Sequence, residues 1–312
     1  MRFSVTIKND DDFPVVILKD ELQKTEAVIY TFGGLLNNFI IDGKQNIIDG
    51  FTSVNDAKEN ITNGFKGAKL SPFVCRIKNG EYYFRDKKYK TGKHFLGEEA
   101  IHGLLYDAPF IIADTGEDDS AAYVKLEYVY SNANEGFPFN YVCKITYQLA
   151  EKNKLTVATT ITNQSDEDMP LYDGWHPYFS FNQPINDLLL TLNAGKILEF
   201  DDRLLPTKKF LSYNRFQSAE KLNDTVLDNC FELNNTTQPA CIIDDEKNKL
   251  RLTISPSESY PYLQVYTPPH RNSIAIENLS AAPDAFNNKM GLTILNPSES
   301  KTFTTIFEAM FY

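Results

Sequence analysis

The sequence predicts an all-β protein built as a large antiparallel sandwich or barrel, and three observations carry that prediction. Apolar and polar residues alternate with period two in many segments, helical periodicity is nearly absent, and strand-like runs extend from Phe3 to Phe311. Alternation of this kind sets successive side chains on opposite faces of a half-buried strand. No regular crossover helices separate the runs, which excludes a parallel doubly wound sheet.

The clearest strands lie in the middle of the chain. Val124, Leu126, Tyr128 and Tyr130 alternate with Lys125 and Glu127, and Cys143, Ile145, Tyr147 and Leu149 alternate with Lys144, Thr146 and Gln148. The polar stretch 132–136 between them reads as a hairpin tip. A turn at Glu151-Lys152-Asn153-Lys154 leads into Leu155–Thr162, so this pair reads as a second antiparallel hairpin. Leu250, Leu252 and Ile254 repeat the theme towards the C-terminus. Weak helical signals occur only near Val54–Asn60 and around Ala282–Asn287. There is no fixed-period repeat, low-complexity linker or break in composition, so one domain spanning residues 1–312 is expected.

Composition narrows the function. The formal net charge of −11 argues against nucleic acid, which is held by Lys and Arg neutralising phosphate, and against docking on anionic lipid. Cys75, Cys143, Cys230 and Cys241 are scattered through strand-like segments with no CxxC pair, the pattern of reduced, buried thiols. The N-terminus turns acidic at Asp10-Asp11-Asp12 without a long apolar signal core, and no run approaches the roughly 20 apolar residues of a membrane helix. A cytoplasmic protein, monomer or homodimer, is the expectation.

Few residues are suited to proton chemistry. The chain has four histidines. His176 lies in the pentad Trp175-His176-Pro177-Tyr178-Phe179, where strand geometry groups Tyr172, Gly174, His176 and Tyr178 on one face. A glycine and a histidine between tyrosines suit a cleft, since glycine permits close approach by a ligand; a hydrogen-bonded histidine in an aromatic core fits the same spacing. Glu277 follows Ile274-Ala275-Ile276, and such a carboxylate either tips a strand at the surface or stands over a cavity. Arg76 is a lone cation in Phe73-Val74-Cys75-Arg76-Ile77, placed for a carboxylate or sugar hydroxyls, or for a structural ion pair. His102 sits beside Gly103, and Asp228 in a turn-like Asp-Asn pair. His94 and His270 read as surface residues. His102, His176 and Glu277 form a possible metal-ligand set, but no short-spaced histidine pair supports one, and no metal is expected. A P-loop, a dinucleotide fingerprint and a GxSxG elbow are missing too.

Taken in order, these fragments resemble the aldose 1-epimerases, or galactose mutarotase-like proteins. Gly67-Ala68-Lys69-Leu70-Ser71-Pro72-Phe73 through Arg76-Ile77, then Gly80-Glu81-Tyr82-Tyr83-Phe84, is similar to that family's Asn-Arg-Ile block and hairpin. Ile101-His102-Gly103 resembles its His-Gly block, and Trp175-His176-Pro177-Tyr178-Phe179 its His-Pro-Tyr-Phe block. Leu227-Asp228-Asn229-Cys230-Phe231, then Ile276-Glu277-Asn278 with Pro283-Asp284-Ala285-Phe286-Asn287, complete the order. Two departures touch substrate contacts: Cys75 stands where the family usually has Asn, and Gly97-Glu98-Glu99-Ala100 lacks the Asn often found before the His-Gly block.

The resemblance implies a β-supersandwich of two large antiparallel sheets with the site on a concave face. It implies interconversion of the α and β anomers of a free hexose such as galactose or glucose, without a cofactor. Glu277 would act as base and His176, as imidazolium, as acid. His102, Arg76 and Asp228 would bind the sugar, with Trp175 supporting the strand from behind or, if Pro177 twists it towards the cleft, stacking on a sugar ring. A hexose-phosphate mutarotase would need a cationic cluster, for which Lys66, Lys69 and Arg76 are the candidates. A non-catalytic sugar-binding protein has no need of a matched acid and base, and a glycosidase would want two carboxylates across the bond.

Overall fold

The alternation resolves into two large sheets in which all strand pairings are antiparallel. The structure, a computed structural model, describes residues 1–10, 12–234 and 239–312. Asp11 of the N-terminal acidic stretch therefore lies outside the described residues. The nine-stranded sheet begins with Ile111–Glu117, Ala121–Ser131, Asn140–Ala150 and Lys154–Asn163. It continues through Ser300–Phe311, Leu250–Pro256, Cys241–Asp245, Leu189–Leu192 and Glu220–Lys221. The final strand of the chain is thus central, between Lys154–Asn163 and Leu250–Pro256.

The eight-stranded sheet runs Pro206–Ser212, Ala194–Phe200, Asp228–Leu233, Tyr262–Tyr266, Ile274–Leu279, Gly174–His176 and Ala68–Leu70, with Tyr178–Phe179 also pairing Ile274–Leu279. A five-stranded sheet forms the N-terminus, and a three-stranded sheet joins His94–Leu96, Glu99–Ile101 and Arg76–Ile77. The hairpins expected about 132–136 and 151–154 are present, as are short helices at Val54–Asn60 and Ala285–Asn288. Ser53 starts the first helix by accepting the Asp56 N–H at 3.1 Å, which satisfies one of the free donors of a helix N-terminus. All four cysteines are free and buried. No helix among the described residues is long and apolar enough to cross a membrane.

The strands nearest the candidate site show why both sheet faces matter. Trp175 turns towards the nine-stranded sheet, where its indole N–H donates to Thr159 Oγ1 at 3.2 Å, and its neighbour His176 turns the other way. Asn278 likewise donates to Thr305 Oγ1 at 2.9 Å, leaving Glu277 on the opposite face. Between the sheets Lys69 Nζ lies 2.5 Å from Asp173 Oδ2, donates to the Gly174 carbonyl at 3.0 Å, and sits 4.6 Å above the Trp175 ring. The Tyr260 hydroxyl donates to Asp173 Oδ1 at 2.7 Å. Burial raises the Asp173 carboxyl, while Lys69 and the Tyr260 hydrogen bond pull it back down.

Lys69 and Asp173 are fully buried, so neither charge has water as a substitute partner. Removing one member of such a pair strands the other. Lys69→Met is expected to cost about 3–5 kcal/mol in urea unfolding followed by far-UV circular dichroism. A change below about 1 kcal/mol would show that Asp173 does not depend on Lys69.

Candidate functional site

A cavity of about 320 Å³ opens on the face of the eight-stranded sheet that turns away from the nine-stranded one. That size lies in the range of small-ligand sites. Arg76, His102, His176, Asp228 and Glu277 all line it, so all five site residues expected from sequence come together.

Strand register does much of the assembly. Gly174 pairs with Leu279 and Tyr178 with Ala275; the same register carried between these pairs sets His176 opposite Glu277. Glu277 in turn pairs with Gln264. The adjoining line across the sheet runs Tyr178, Ala275, Tyr266 and Asp228. Ala275 puts only a methyl group between two tyrosines, which leaves room for a cavity above it.

His102 and Arg76 arrive from another direction. Ile101 pairs with Arg76 in the three-stranded sheet, and His102, at φ +60°, donates its N–H to the Cys75 carbonyl at 2.9 Å. Gly103 continues the turn at φ +76°, and a Cβ there would lie 2.4 Å from the Ser71 carbonyl oxygen. Glycine is required on both counts. The Asp284 N–H donates to the Arg76 carbonyl at 2.8 Å, and its carboxylate accepts the Lys78 N–H at 3.1 Å. The Pro283–Asn287 block therefore braces the Arg76 strand as well as lending Pro283 to the cavity wall.

His176 Nε2 and Glu277 Oε1 are 3.3 Å apart and both side chains are buried. The His176 ring stacks on Tyr178 at 5.0 Å between centroids and meets the His102 ring edge-on, also at 5.0 Å. Burial pushes the His176 imidazole down to about 3. Burial, followed by repulsion from Asp228, raises the Glu277 carboxyl well above its ordinary value. Burial thus favours the neutral form of both groups in the unliganded site. Burial also lowers His102, helped by the nearby charges of His176, Arg76 and His94. Asp228 is raised by burial, against the pull of Arg76 and a 2.7 Å hydrogen bond from Gln264.

Several expectations need correction. Tyr172 does not share the cavity face: it is buried against Phe286, at 4.9 Å between ring centroids, because the strand begins only at Gly174. Gly174 serves packing and not ligand approach, since a Cβ would stand 2.8 Å from Val74 Cγ1 and 2.9 Å from the Asn278 carbonyl. His94 is a half-buried cavity residue edge-on to Phe65, while His270 is exposed as expected. Of the cations weighed for a phosphate, Lys66 is paired with Asp49 at 2.7 Å and Lys69 with Asp173, and neither lines the cavity. Gln264, Tyr178 and Tyr266 line it too. Gln264, polar within Tyr262-Leu263-Gln264-Val265-Tyr266, was the signal available in the sequence and was missed.

A fold of two large antiparallel sheets with this cavity defines a protein of the galactose mutarotase type. The aldose 1-epimerase family model matches residues 14–308, and the chain belongs to that family. It is 27% identical over 237 residues to the Escherichia coli protein YihR, covering 73% of this chain and 74% of that one. It is 25% identical over 195 residues to a maltose epimerase of Levilactobacillus brevis, covering 60% of this chain and 56% of the relative. In structure it resembles a galactose mutarotase-like protein from Clostridium acetobutylicum (TM-score 0.89, 19% identity, 100% and 99% of the two chains). It also resembles the galactose 1-epimerase of Lactobacillus acidophilus (TM-score 0.84, 20% identity, 100% and 99%). At these identities the structural likenesses bear on the fold.

The raised Glu277 carboxyl has a consequence for stability. Its folded-state pKa lies above that of the unfolded chain, so the unfolded chain loses this proton first as pH rises, and stability declines between 4.5 and the raised value. Glu277→Gln has no such proton to lose. Its melting temperature is expected to exceed that of the parent at mildly alkaline pH, with the gap closing as pH falls to 4.5. A gap that stays constant over that range contradicts the burial argument.

Proposed function

We propose that this protein interconverts the α and β anomers of a free aldose by opening and reclosing its hemiacetal. The observation that carries the reading is the buried His176–Glu277 pair, with 3.3 Å between Nε2 and Oε1, at the edge of a cavity of sugar-binding size. Ring opening removes a proton from the anomeric hydroxyl and delivers one to the ring oxygen, and both oxygens are bonded to the same carbon. Two proton carriers side by side match that demand.

The pair holds one proton. Whichever partner carries it gives to the ring oxygen while the other takes from the anomeric hydroxyl, and reclosure on the other carbonyl face reverses the roles. Burial favours the proton on Glu277 in the unliganded site, and its transfer to His176 produces the arrangement with Glu277 as base. Arg76 and Asp228 hold substrate hydroxyls, and His102 bonds near the ring oxygen. Family membership supports the general reaction. A free sugar fits better than a phosphorylated one, because Lys66 and Lys69 are committed elsewhere. The names of the relatives, a maltose epimerase and a galactose 1-epimerase, set the panel to test: glucose, galactose and maltose, with a hexose phosphate beside them.

Polarimetry on freshly dissolved α-anomers tests the reading. Glu277→Gln and His176→Asn should each lower turnover by about 10²-fold or more, with small changes in sugar binding. The double variant should be little worse than the poorer single one. Arg76→Ala should weaken binding, since its hydroxyl partners are present in ground and transition states alike. Near-normal mutarotation by both Glu277 and His176 variants rejects the assignment. Sugar binding by the parent with no anomer exchange makes the protein a binding module instead.

The pH profile separates this pair from an ordinary imidazole. It keeps a single proton from the lowered His176 value, about 3, up to the raised Glu277 value. kcat/KM should therefore stay flat as pH falls through 6.5, the ordinary imidazole value, and fall as pH rises through the Glu277 value. An acid-side break near 6.5 would count against burial as the controlling effect.

A further inference from the structure

We propose that His102, His176 and Glu277 form a binding site for a borderline divalent transition-metal ion, of the Zn²⁺ or Ni²⁺ class, that competes with the sugar for the cavity. The three residues each offer a donor atom, and these atoms all lie within 4.8 Å of one another. The His176 Nε2 to Glu277 Oε1 distance of 3.3 Å is close to the separation of two ligands placed tetrahedrally around a zinc ion at about 2.0–2.1 Å. His102, within 4.8 Å of both, is the third donor.

Two further features favour an ion here. His102 Nδ1 and Glu277 Oε2 are buried without a hydrogen-bond partner, so these two residues have polar capacity that the fold leaves unused. The donors come from three segments held in place by backbone: the His102 turn against Cys75 and Ser71, and two neighbouring strands of one sheet. Two nitrogens and one carboxylate oxygen suit zinc, nickel, cobalt or iron(II) rather than calcium or magnesium, which take oxygen ligands. The adjoining cavity gives the ion an entry path and leaves room for water at its remaining positions. Asp228 in the same wall partly offsets the positive charge of Arg76.

Competition with sugar follows from shared atoms, and the expected loss of catalysis rests on the function proposed above. An ion bonded to His176 and Glu277 occupies the two proton carriers. The site would thus take a metal as an inhibitor, and the anomer exchange itself would not use one.

Calorimetric titration of chelator-treated protein with ZnCl₂ is expected to show one ion per chain, displaced by a sugar that the protein binds. Cobalt(II) should give the visible absorption of a low-coordinate nitrogen and oxygen site. His102→Asn and Glu277→Gln should each weaken the ion by about tenfold or more, with Trp175 fluorescence and circular dichroism reporting an intact fold. Added zinc should slow mutarotation and a chelator should restore it. The proposal is overturned by the absence of stoichiometric binding, by full affinity in both variants, by zinc and sugar binding together, or by mutarotation that rises with zinc. Calorimetry and the cobalt spectrum read the site directly, so they decide the proposal even if the protein catalyses no anomer exchange.

Discussion

The polar layer trapped between the two large sheets is the constraint on which the site depends. Trp175 to Thr159, Asn278 to Thr305, and the Lys69–Asp173–Tyr260 group join the inner face of the eight-stranded sheet to the nine-stranded sheet or its flanking loop. Each of these contacts is directional and buried, so sliding a strand by one residue would break hydrogen bonds that water cannot replace. The same alternation sends His176 and Glu277 outward. Fixing the inner face therefore fixes where the outer pair stands, without any residue having to touch that pair directly.

This dependence explains what could be read from the sequence. Period-two alternation in Val124–Tyr130, Cys143–Leu149 and Leu155–Thr162 showed strands and hairpins, because those signals are local. The family blocks supplied His102, His176, Glu277, Arg76 and Asp228. Which strands lie side by side is a long-range fact. No local pattern places Ser300–Phe311 between Lys154–Asn163 and Leu250–Pro256, or sets His176 opposite Glu277 across about a hundred residues of chain. Gln264 was overlooked for the same reason: one glutamine in an apolar strand gains meaning only when its neighbour across the sheet is Glu277. Grouping Tyr172 with His176 failed because face-sharing holds only within a strand, and this strand starts two residues later.

Burial depth was equally hidden, and it governs the chemistry. A carboxyl beside a histidine on the surface would form an ordinary ion pair. Under this much protein, burial lowers the imidazole and raises the carboxyl, favouring the neutral form of each. Such an arrangement stores destabilisation at the site. The remaining fold, including the hydrogen-bonded layer below, offsets it.

The mouth of the cavity is built on another principle. Leu96 and His94 come from one hairpin, and Leu204 and Phe200 from the connection and strand around residues 200–204. Arg203 ties these two pieces together, donating to Asn79 at 2.6 Å and to Glu98 at 3.1 Å and pairing with the buried Glu99. The mouth thus depends on loop and side-chain contacts, where the floor depends on sheet register. Loops accept changes in length and composition that a central strand cannot. Under the proposed function, the His176–Glu277 pair rests on the sheet, and the two segments that Arg203 holds in place form the rim a sugar would pass.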